Sequence, residues 1–195
     1  MTQRILAAQI ATVATSHTTV PPDVRAMLHR VTLDAFGLML AARQTNYIEA
    51  LKASCLDQGA ATAFGHGSGF TVQDATLING TAVHGEDFDD TFEGTPVHVS
   101  SVIVPTMLAI AERENISRDR LINAMAQGSE LICRLALVAP TAIHRQGFHP
   151  TAILGAFGAS LTAAVAYQLT TQQTASARGI VGSMASGIIE YLAEG

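Results

Sequence analysis

The sequence TAILGAFGASLTAAVAYQL, residues 151 to 169, decides the fold of this chain. It contains no charged side chain, and most of it is Ala, Gly, Ser and Thr. Small residues on every side of a helix let neighbouring helices approach closely, so this pattern predicts a central helix that is buried all round. A membrane span is the other interpretation, and the low share of Leu, Ile and Phe argues against it. We therefore expect a multi-helix domain built around this segment.

The composition of the whole chain favours the same class. Its 195 residues are 48% hydrophobic, which is enough for one sizeable core. Only 5% are aromatic and none is Trp, so Ala and Gly carry much of the apolar share. Such a composition favours closely packed helices over a β-sandwich rich in Val, Tyr and Trp. We expect one all-α domain over residues 1–195.

Apolar residues recur at helical spacing on both sides of the central segment. The predicted helices cover residues 3–15, 22–42, 47–56, 72–83 and 117–138, with a last one from Thr170 or Thr171 toward Leu192. Pro105 lies inside the apolar run 99–112, so that helix is expected to start near Pro105 or to kink there. Four glycines in residues 59–69 predict a turn, a short extended piece and another turn, and residues 141–150 are expected to form a loop.

The charge and cysteine content indicate which binding partners and which cellular compartment to expect. The net charge is −5, Lys52 is the only lysine, and the ten arginines form no basic stripe, so no nucleic-acid partner is expected. Cys55 and Cys133 lie far apart in apolar stretches, which indicates free thiols in a reducing compartment. The N-terminus lacks the apolar core of a secretory signal. We expect a cytoplasmic protein without a membrane partner.

The run GEDFDDTFEGTPVH, residues 85 to 98, is the strongest candidate for a functional site. It places several carboxylates, a hydroxyl and an imidazole together in a chain that is only 14% charged. Carboxylates that lie close together repel one another, so at least one of them is expected to have a raised pKa. Proton-transfer chemistry often depends on such a shift.

Three histidines stand near predicted helix ends. His149 directly precedes Pro150 at a helix start, where a neutral imidazole could act as a donor or base beside a bound carboxylate. The alternative is that His149 only caps or packs the turn. His98 also precedes an apolar helix and has the same two interpretations. His84 lies one turn before Asp87, and a simple hydrogen bond between the two is an alternative to a direct role.

A metal site and nucleophilic catalysis are the other possible chemistries. Asp87, Asp89 and Asp90 together with His98 offer ligands for a divalent cation. However, the run lacks the Gly and final Glu positions of a calcium loop, and no pair of histidines has helical metal-ligand spacing. We expect neither a metal nor another cofactor. No Gly-x-Ser-x-Gly elbow or phosphate-binding loop is present, and neither cysteine has an electropositive setting.

Several short motifs together resemble those of the MmgE/PrpD family, which includes 2-methylcitrate dehydratase, cis-aconitate decarboxylase and iminodisuccinate epimerase. The two more specific motifs are DFDDT and GFHPT. The full set is NGTAVH at 79–84, DFDDT at 87–91, VH at 97–98, VP at 104–105 and GFHPT at 147–151, with LDAFG at 33–37 and RGI at 178–180. The resemblance thus extends over essentially the whole chain.

This resemblance implies a large all-α domain that pairs into a homodimer, and cofactor-free chemistry on small di- or tricarboxylates. By analogy, Asp87 and Thr91 would line the substrate pocket together with His98 and His149. Asp87 would tune an imidazole, and Thr91 would orient the substrate. The candidate catalytic residues are thus His149, His98 and Asp87, and the candidate substrate-binding residues are Thr91, His84 and Asp90.

The chain departs from the family in its length. Family members are usually more than twice as long, with a further helical part, a smaller α+β lid domain and lysines that help to bind carboxylates. We therefore expect the N-terminal part of the helical domain, without the lid, associated with itself or with a chain that carries the missing half.

The leading hypothesis is a dehydratase-type lyase acting on a polycarboxylate such as 2-methylcitrate. The alternatives are a decarboxylase or epimerase on a related substrate, or a non-catalytic or split-enzyme subunit that acts in assembly.

Overall fold

The computed structural model describes residues 6–15 and 19–190, and almost all of its regular structure there is helical. The elements in chain order are α1 (Leu6–Thr15), α2 (Pro22–Ala42), α3 (Asn46–Ser54), β1 (Ala61–Ala63), β2 (Gly67–Phe70), α4 (Val72–His84), α5 (Ser100–Arg113), α6 (Arg118–Val138), α7 (Ala142–Arg145), α8 (Pro150–Ala166) and α9 (Thr171–Met184). The prediction of an all-α, multi-helix domain is confirmed.

Helix α8 is the central helix, and it packs most extensively against α6. Glycines make this close approach possible. A methyl group on Gly158 would collide with the side chain of Ile132 on α6, and one on Gly155 would lie 2.7 Å from Cγ2 of Val102 on α5. The helix ends at Ala166, where Tyr167 and then Gln168, with a φ of 54°, turn the chain toward α9. The predicted buried helix is therefore present, though shorter than the uncharged segment.

Helix ends follow the predicted signals in most places. Pro22 is the first residue of α2, and the Ser117 hydroxyl accepts a hydrogen bond from the Arg120 amide at the start of α6. Thr170 and Gln173 form a reciprocal capping box at the start of α9. This helix ends at Met184, before the predicted end; Leu192 and residues 3–5 of the first predicted helix lie outside the described residues.

Helix α5 begins at Ser100 with Pro105 inside it, so of the two predicted alternatives a start near Pro105 is wrong, and a kink there stays a prediction. The Asp90 carboxylate accepts a hydrogen bond of 2.8 Å from the Ser100 amide, which satisfies one of the free donors of the first turn. Pro105 lies early in the helix and removes one backbone hydrogen bond there. Its ring is fully buried, and this packing offsets the loss.

The glycine-rich segment forms a small antiparallel hairpin of β1 and β2, in which β1 is the predicted extended piece and β2 was not predicted. Asn79 of α4 holds it in place. The Asn79 side chain accepts a hydrogen bond from the Phe64 amide at 2.8 Å and donates one to the Thr62 carbonyl at 3.0 Å. The predicted loop 141–150 also contains one helical turn, α7.

One helix in the described part of the chain, α6, has the length and mean hydropathy of a possible membrane span. Core helices of soluble proteins meet the same criterion. In this fold α6 buries Ile132, Leu131 and Gly128 among its neighbours, and it carries an exposed ion pair between Glu130 and Arg134.

Candidate active site

Three histidines and one carboxylate meet where α4 ends, α5 is about to begin and α8 starts. His84 is the last residue of α4, and His149 is the N-cap of α8. Asp89 and His98 lie in the loop between α4 and α5. The His84 ring centroid lies 4.7 Å from that of His98 and 5.2 Å from that of His149. The three imidazoles therefore form one cluster.

Asp89 is the buried anion of this cluster, with a side chain that is 0% exposed. Both of its oxygens lie 3.1 Å from Nδ1 of His84, and its Oδ1 also lies 3.1 Å from Nδ1 of His98. Burial alone would raise the pKa of this carboxyl. The contacts with His84 and His98 outweigh burial and hold the pKa of Asp89 well below its usual range. This direction is opposite to the one expected for crowded carboxylates.

His98 lies between two carboxylates. Asp89 contacts its Nδ1, and Oδ1 of Asp87 lies 3.5 Å from its Nε2. The contact with Asp89 raises the pKa of His98, burial opposes the rise, and the charge of Asp87 adds to it. The Nδ1 contact is short but outside hydrogen-bond geometry, so this buried nitrogen lacks a hydrogen-bond partner. His98 is thus favoured as a protonated imidazolium, which can act as a proton donor.

His149 is fixed by backbone contacts on both sides. Its own amide donates to the Gly187 carbonyl at 3.0 Å, within a short antiparallel bridge that joins Phe148 to Ile188. Its Nδ1 accepts from the Ala152 amide at 3.2 Å and so caps α8. Burial, followed by the neighbouring charges of His84 and His98, lowers the pKa of His149. The ring is therefore favoured in its neutral form.

The backbone contact also assigns the tautomer of His149. Because Nδ1 of His149 accepts from a backbone amide, the proton of the neutral ring must be on Nε2. That nitrogen lies 3.4 Å from Nε2 of His84, and Nδ1 of His84 lies 3.1 Å from the Asp89 carboxylate. A chain of polar contacts thus runs from Asp89 through His84 to His149, as a carboxylate orients an imidazole in acid–base sites.

The other predicted site residues are placed differently. Asp87 is exposed and has a left-handed φ of 56°, so its carboxylate reaches the cluster from solvent. The His84 ring pairs with Asp89, whereas its backbone carbonyl accepts a hydrogen bond of 3.0 Å from the Asp87 amide. Asp90 accepts from the Ser100 amide and holds the start of α5, and Thr91 is exposed on the loop surface.

Sequence reasoning gave Asp89 only as a possible metal ligand and missed Thr151 altogether. Asp89 is the carboxylate that orients both imidazoles, and Oγ1 of Thr151 accepts from the His98 amide at 3.0 Å. The motifs DFDDT and GFHPT contain these two residues, but spacing alone does not separate one buried aspartate from its exposed neighbours.

An open groove of about 510 Å³ adjoins the cluster along α4. The residues that line this groove include His84, Leu77, Gly80, Thr81 and Ser101. Among the described residues, no Lys or Arg lines this groove. Four side chains of the cluster also offer one metal-ligating atom each within 4.8 Å of one another, namely those of His84, Asp87, Asp89 and His98. The arrangement can donate a proton from His98, accept one at a neutral imidazole and bind a small ligand alongside.

The fold and the site together define a mostly α-helical domain with a buried aspartate–histidine cluster. Residues 4–195 match the sequence model of the MmgE/PrpD N-terminal domain, and the chain belongs to this family. It is 24% identical over 188 residues to the cis-aconitate decarboxylase-like protein oryM of Aspergillus oryzae, a match that covers 90% of this chain and 39% of that protein. It is 31% identical over 116 residues to human cis-aconitate decarboxylase, over 57% of this chain and 24% of that enzyme. The chain therefore spans less than half the length of these relatives.

Proposed function

We propose that this chain carries the acid–base part of a lyase site that acts on a small di- or tricarboxylate. The observation that carries the proposal is geometric: the buried Asp89 carboxylate contacts two imidazoles, and a third is in contact with one of them. The opposite pKa shifts of His98 and His149 support it, because neighbouring groups whose pKa values are driven apart supply an acid and a base at the same pH.

Decarboxylation of a substrate such as cis-aconitate is the reaction we favour, since both relatives are named for it. In this reaction the bond between carbon and the leaving carboxylate breaks, and CO₂ departs. The electron pair stays on the substrate carbon, which must then gain a proton. His98 is the proposed donor, because Asp87 and Asp89 both favour its imidazolium form. Solvent then returns the proton to His98.

Dehydration of a substrate such as 2-methylcitrate is the second candidate. It needs a base that removes a proton from carbon and an acid that protonates the departing hydroxide, so that water leaves. Neutral His149 and charged His98 lie in one cluster, joined through His84, and could supply both groups. Epimerisation would use the same pair to remove and return a proton on opposite faces. The three reactions differ in products, which makes them separable in one assay.

Binding of a di- or tricarboxylate requires positively charged side chains near the site. Lys52, the single lysine, pairs with Glu49 at 2.9 Å on α3, and no Lys or Arg among the described residues lines the groove beside the cluster. A trianion beside Asp87 and Asp89 needs cations to offset this negative charge. We propose that they come from a copy of this chain in a homodimer or from a polypeptide segment that corresponds to the part of the relatives outside the match. The alternative is a non-catalytic subunit that acts in assembly.

The test is proton NMR in D₂O with methylcitrate, citrate, cis-aconitate and an iminodisuccinate source. Product signals would name the reaction, and deuterium uptake would report proton transfer even without net turnover. His98→Gln and His149→Ala are expected to lower turnover at least tenfold, whereas His29→Ala, on the exposed face of α2, should leave it unchanged. Full activity of His149→Ala would overturn its catalytic assignment.

A further inference from the structure

We propose that His84, Asp87, Asp89 and His98 bind one divalent transition-metal ion, with Zn²⁺ as the best fit. We also propose, on the basis of the function above, that the ion competes with proton transfer at the same imidazoles.

The distances already approach those of a coordination shell. Zinc ligands at about 2.0 Å in tetrahedral geometry lie about 3.3 Å from one another. Oδ1 of Asp89 lies 3.1 Å from Nδ1 of His84 and 3.1 Å from Nδ1 of His98. One ligand atom from each of the four residues lies within 4.8 Å of the others. Three of the ligands thus need only small shifts to surround an ion.

The donor set selects the class of metal. Two imidazole nitrogens and two carboxylate oxygens suit a borderline ion such as Zn²⁺, whereas Ca²⁺ and Mg²⁺ prefer shells made of oxygen. The two carboxylates also balance the two positive charges of the ion. Because neither cysteine belongs to the cluster, a thiolate site is not the competing explanation.

The contact at His98 also leaves room for an ion. Nδ1 of His98 is buried and lies 3.1 Å from Oδ1 of the fully buried Asp89 carboxylate, but the two groups are outside hydrogen-bond geometry. A metal ion between them would bond to both.

Asp87 gives the site an entrance and a movable fourth ligand. Its side chain is 77% exposed, and its Oδ1 lies 3.5 Å from Nε2 of His98, so it has to rotate toward Nδ1 of that ring to complete the shell. Its left-handed backbone belongs to the turn that follows α4, outside the helices. An ion arriving from solvent would therefore meet Asp87 first and the buried Asp89 last.

Metal binding and the proposed acid–base role exclude each other. A ligating imidazole nitrogen must give up its proton. An ion on Nδ1 of His84 would replace the proton shared with Asp89, and one on His98 would remove the proposed donor. Bound Zn²⁺ should therefore lower turnover, and a chelator should restore it.

Equilibrium dialysis of EDTA-treated protein against Zn²⁺, followed by metal quantification, tests the site without any substrate. One ion per chain is expected, with affinity reduced at least tenfold in His98→Gln and in the exposed variant Asp87→Asn. His149→Gln is the matched control, because His149 lies in the cluster but outside the ligand set. Circular dichroism of each variant checks that the fold is kept.

Two results would overturn the proposal. Absence of saturable binding, or equal binding by the wild type, His98→Gln and Asp87→Asn, would remove the metal site. One-to-one binding without any loss of turnover would remove the competition while the site stands. Because dialysis needs no turnover, failure of the proposed lyase activity would be seen separately.

Discussion

Both oxygens of the Asp89 carboxylate lie 3.1 Å from Nδ1 of His84, inside a cluster from which solvent is excluded on the aspartate side. The same carboxylate contacts Nδ1 of His98. Asp89 therefore orients two imidazoles and favours the charged form of His98, and it is the natural position at which to test the site.

Asp89→Asn should lower the pKa of His98 in the metal-free protein, because contact with the Asp89 carboxylate is the largest cause that raises it. NMR titration of the histidine ring protons measures this directly. The matched control is Glu93→Gln, an exposed carboxylate of the same loop, which should leave the titration unchanged. An unaltered His98 titration in Asp89→Asn would show that another group stabilises the imidazolium.

The stability supplied by His98 should depend on pH with a definite sign. A group whose folded pKa is raised contributes fully below its unfolded pKa of about 6.5 and loses this contribution as pH rises through the folded pKa. Urea unfolding should therefore show a larger gap between the wild type and His98→Gln near pH 5.5 than near pH 9, by on the order of 1 kcal/mol. A gap that grows with pH would contradict the raised pKa.

At lower pH the dominant group should be Asp89. Its folded pKa is depressed, so it contributes stability above the unfolded value of about 3.9 and loses it as pH falls through the folded pKa. Acid unfolding of the wild type should therefore extend below pH 3.9, and Asp89→Asn should flatten the slope of stability against pH in this range. Equal slopes for the two proteins would show that other carboxyls dominate acid unfolding.

Replacing glycine by alanine should change the free energy of unfolding in opposite directions on α8 and on α9. Gly158→Ala should destabilise the fold by about 1–3 kcal/mol, because its methyl group would collide with Ile132 on α6. Gly179→Ala, at an α9 position with no heavy atom within 4 Å of an added methyl group, should stabilise it by about 0.5–1 kcal/mol through helix propensity. Urea unfolding measures both, and similar effects at the two sites would contradict the packing argument.

Arg178 is a buried charged residue whose replacement should stabilise the fold. It is 5% exposed, and its Nη1 has no hydrogen-bond partner in the part of the chain that the structure describes. Burial lowers its pKa, since the charged form is desolvated without compensation. Arg178→Met should therefore stabilise the isolated chain by about 1–4 kcal/mol. Arg30→Met, an exposed arginine on α2, serves as control with a change within about 0.5 kcal/mol. Destabilisation of Arg178→Met would mean that the guanidinium has a partner in solution.

Helix starts and the central segment could be predicted because their causes are local. Pro22 has a φ that already suits the first helical residue, and Ser117 and Thr170 accept hydrogen bonds from amides of their own first turns. The uncharged run 151–169 requires burial whatever surrounds it. The start of α5 could not be predicted in the same way. It depends on Asp90, ten residues earlier in the chain, and on burial of the Pro105 ring.

The helical class, the family motifs and the two segments that carry the site can be read from the amino-acid sequence, because each follows from side-chain chemistry within a few residues. Which aspartate is buried between the imidazoles depends on how the helices pack. His84 and His149 are 65 residues apart in the chain, and they meet because the C-terminus of α4 lies beside the N-terminus of α8. The charge states of His98 and His149 follow from that encounter, since burial and neighbouring charges act through space rather than along the chain.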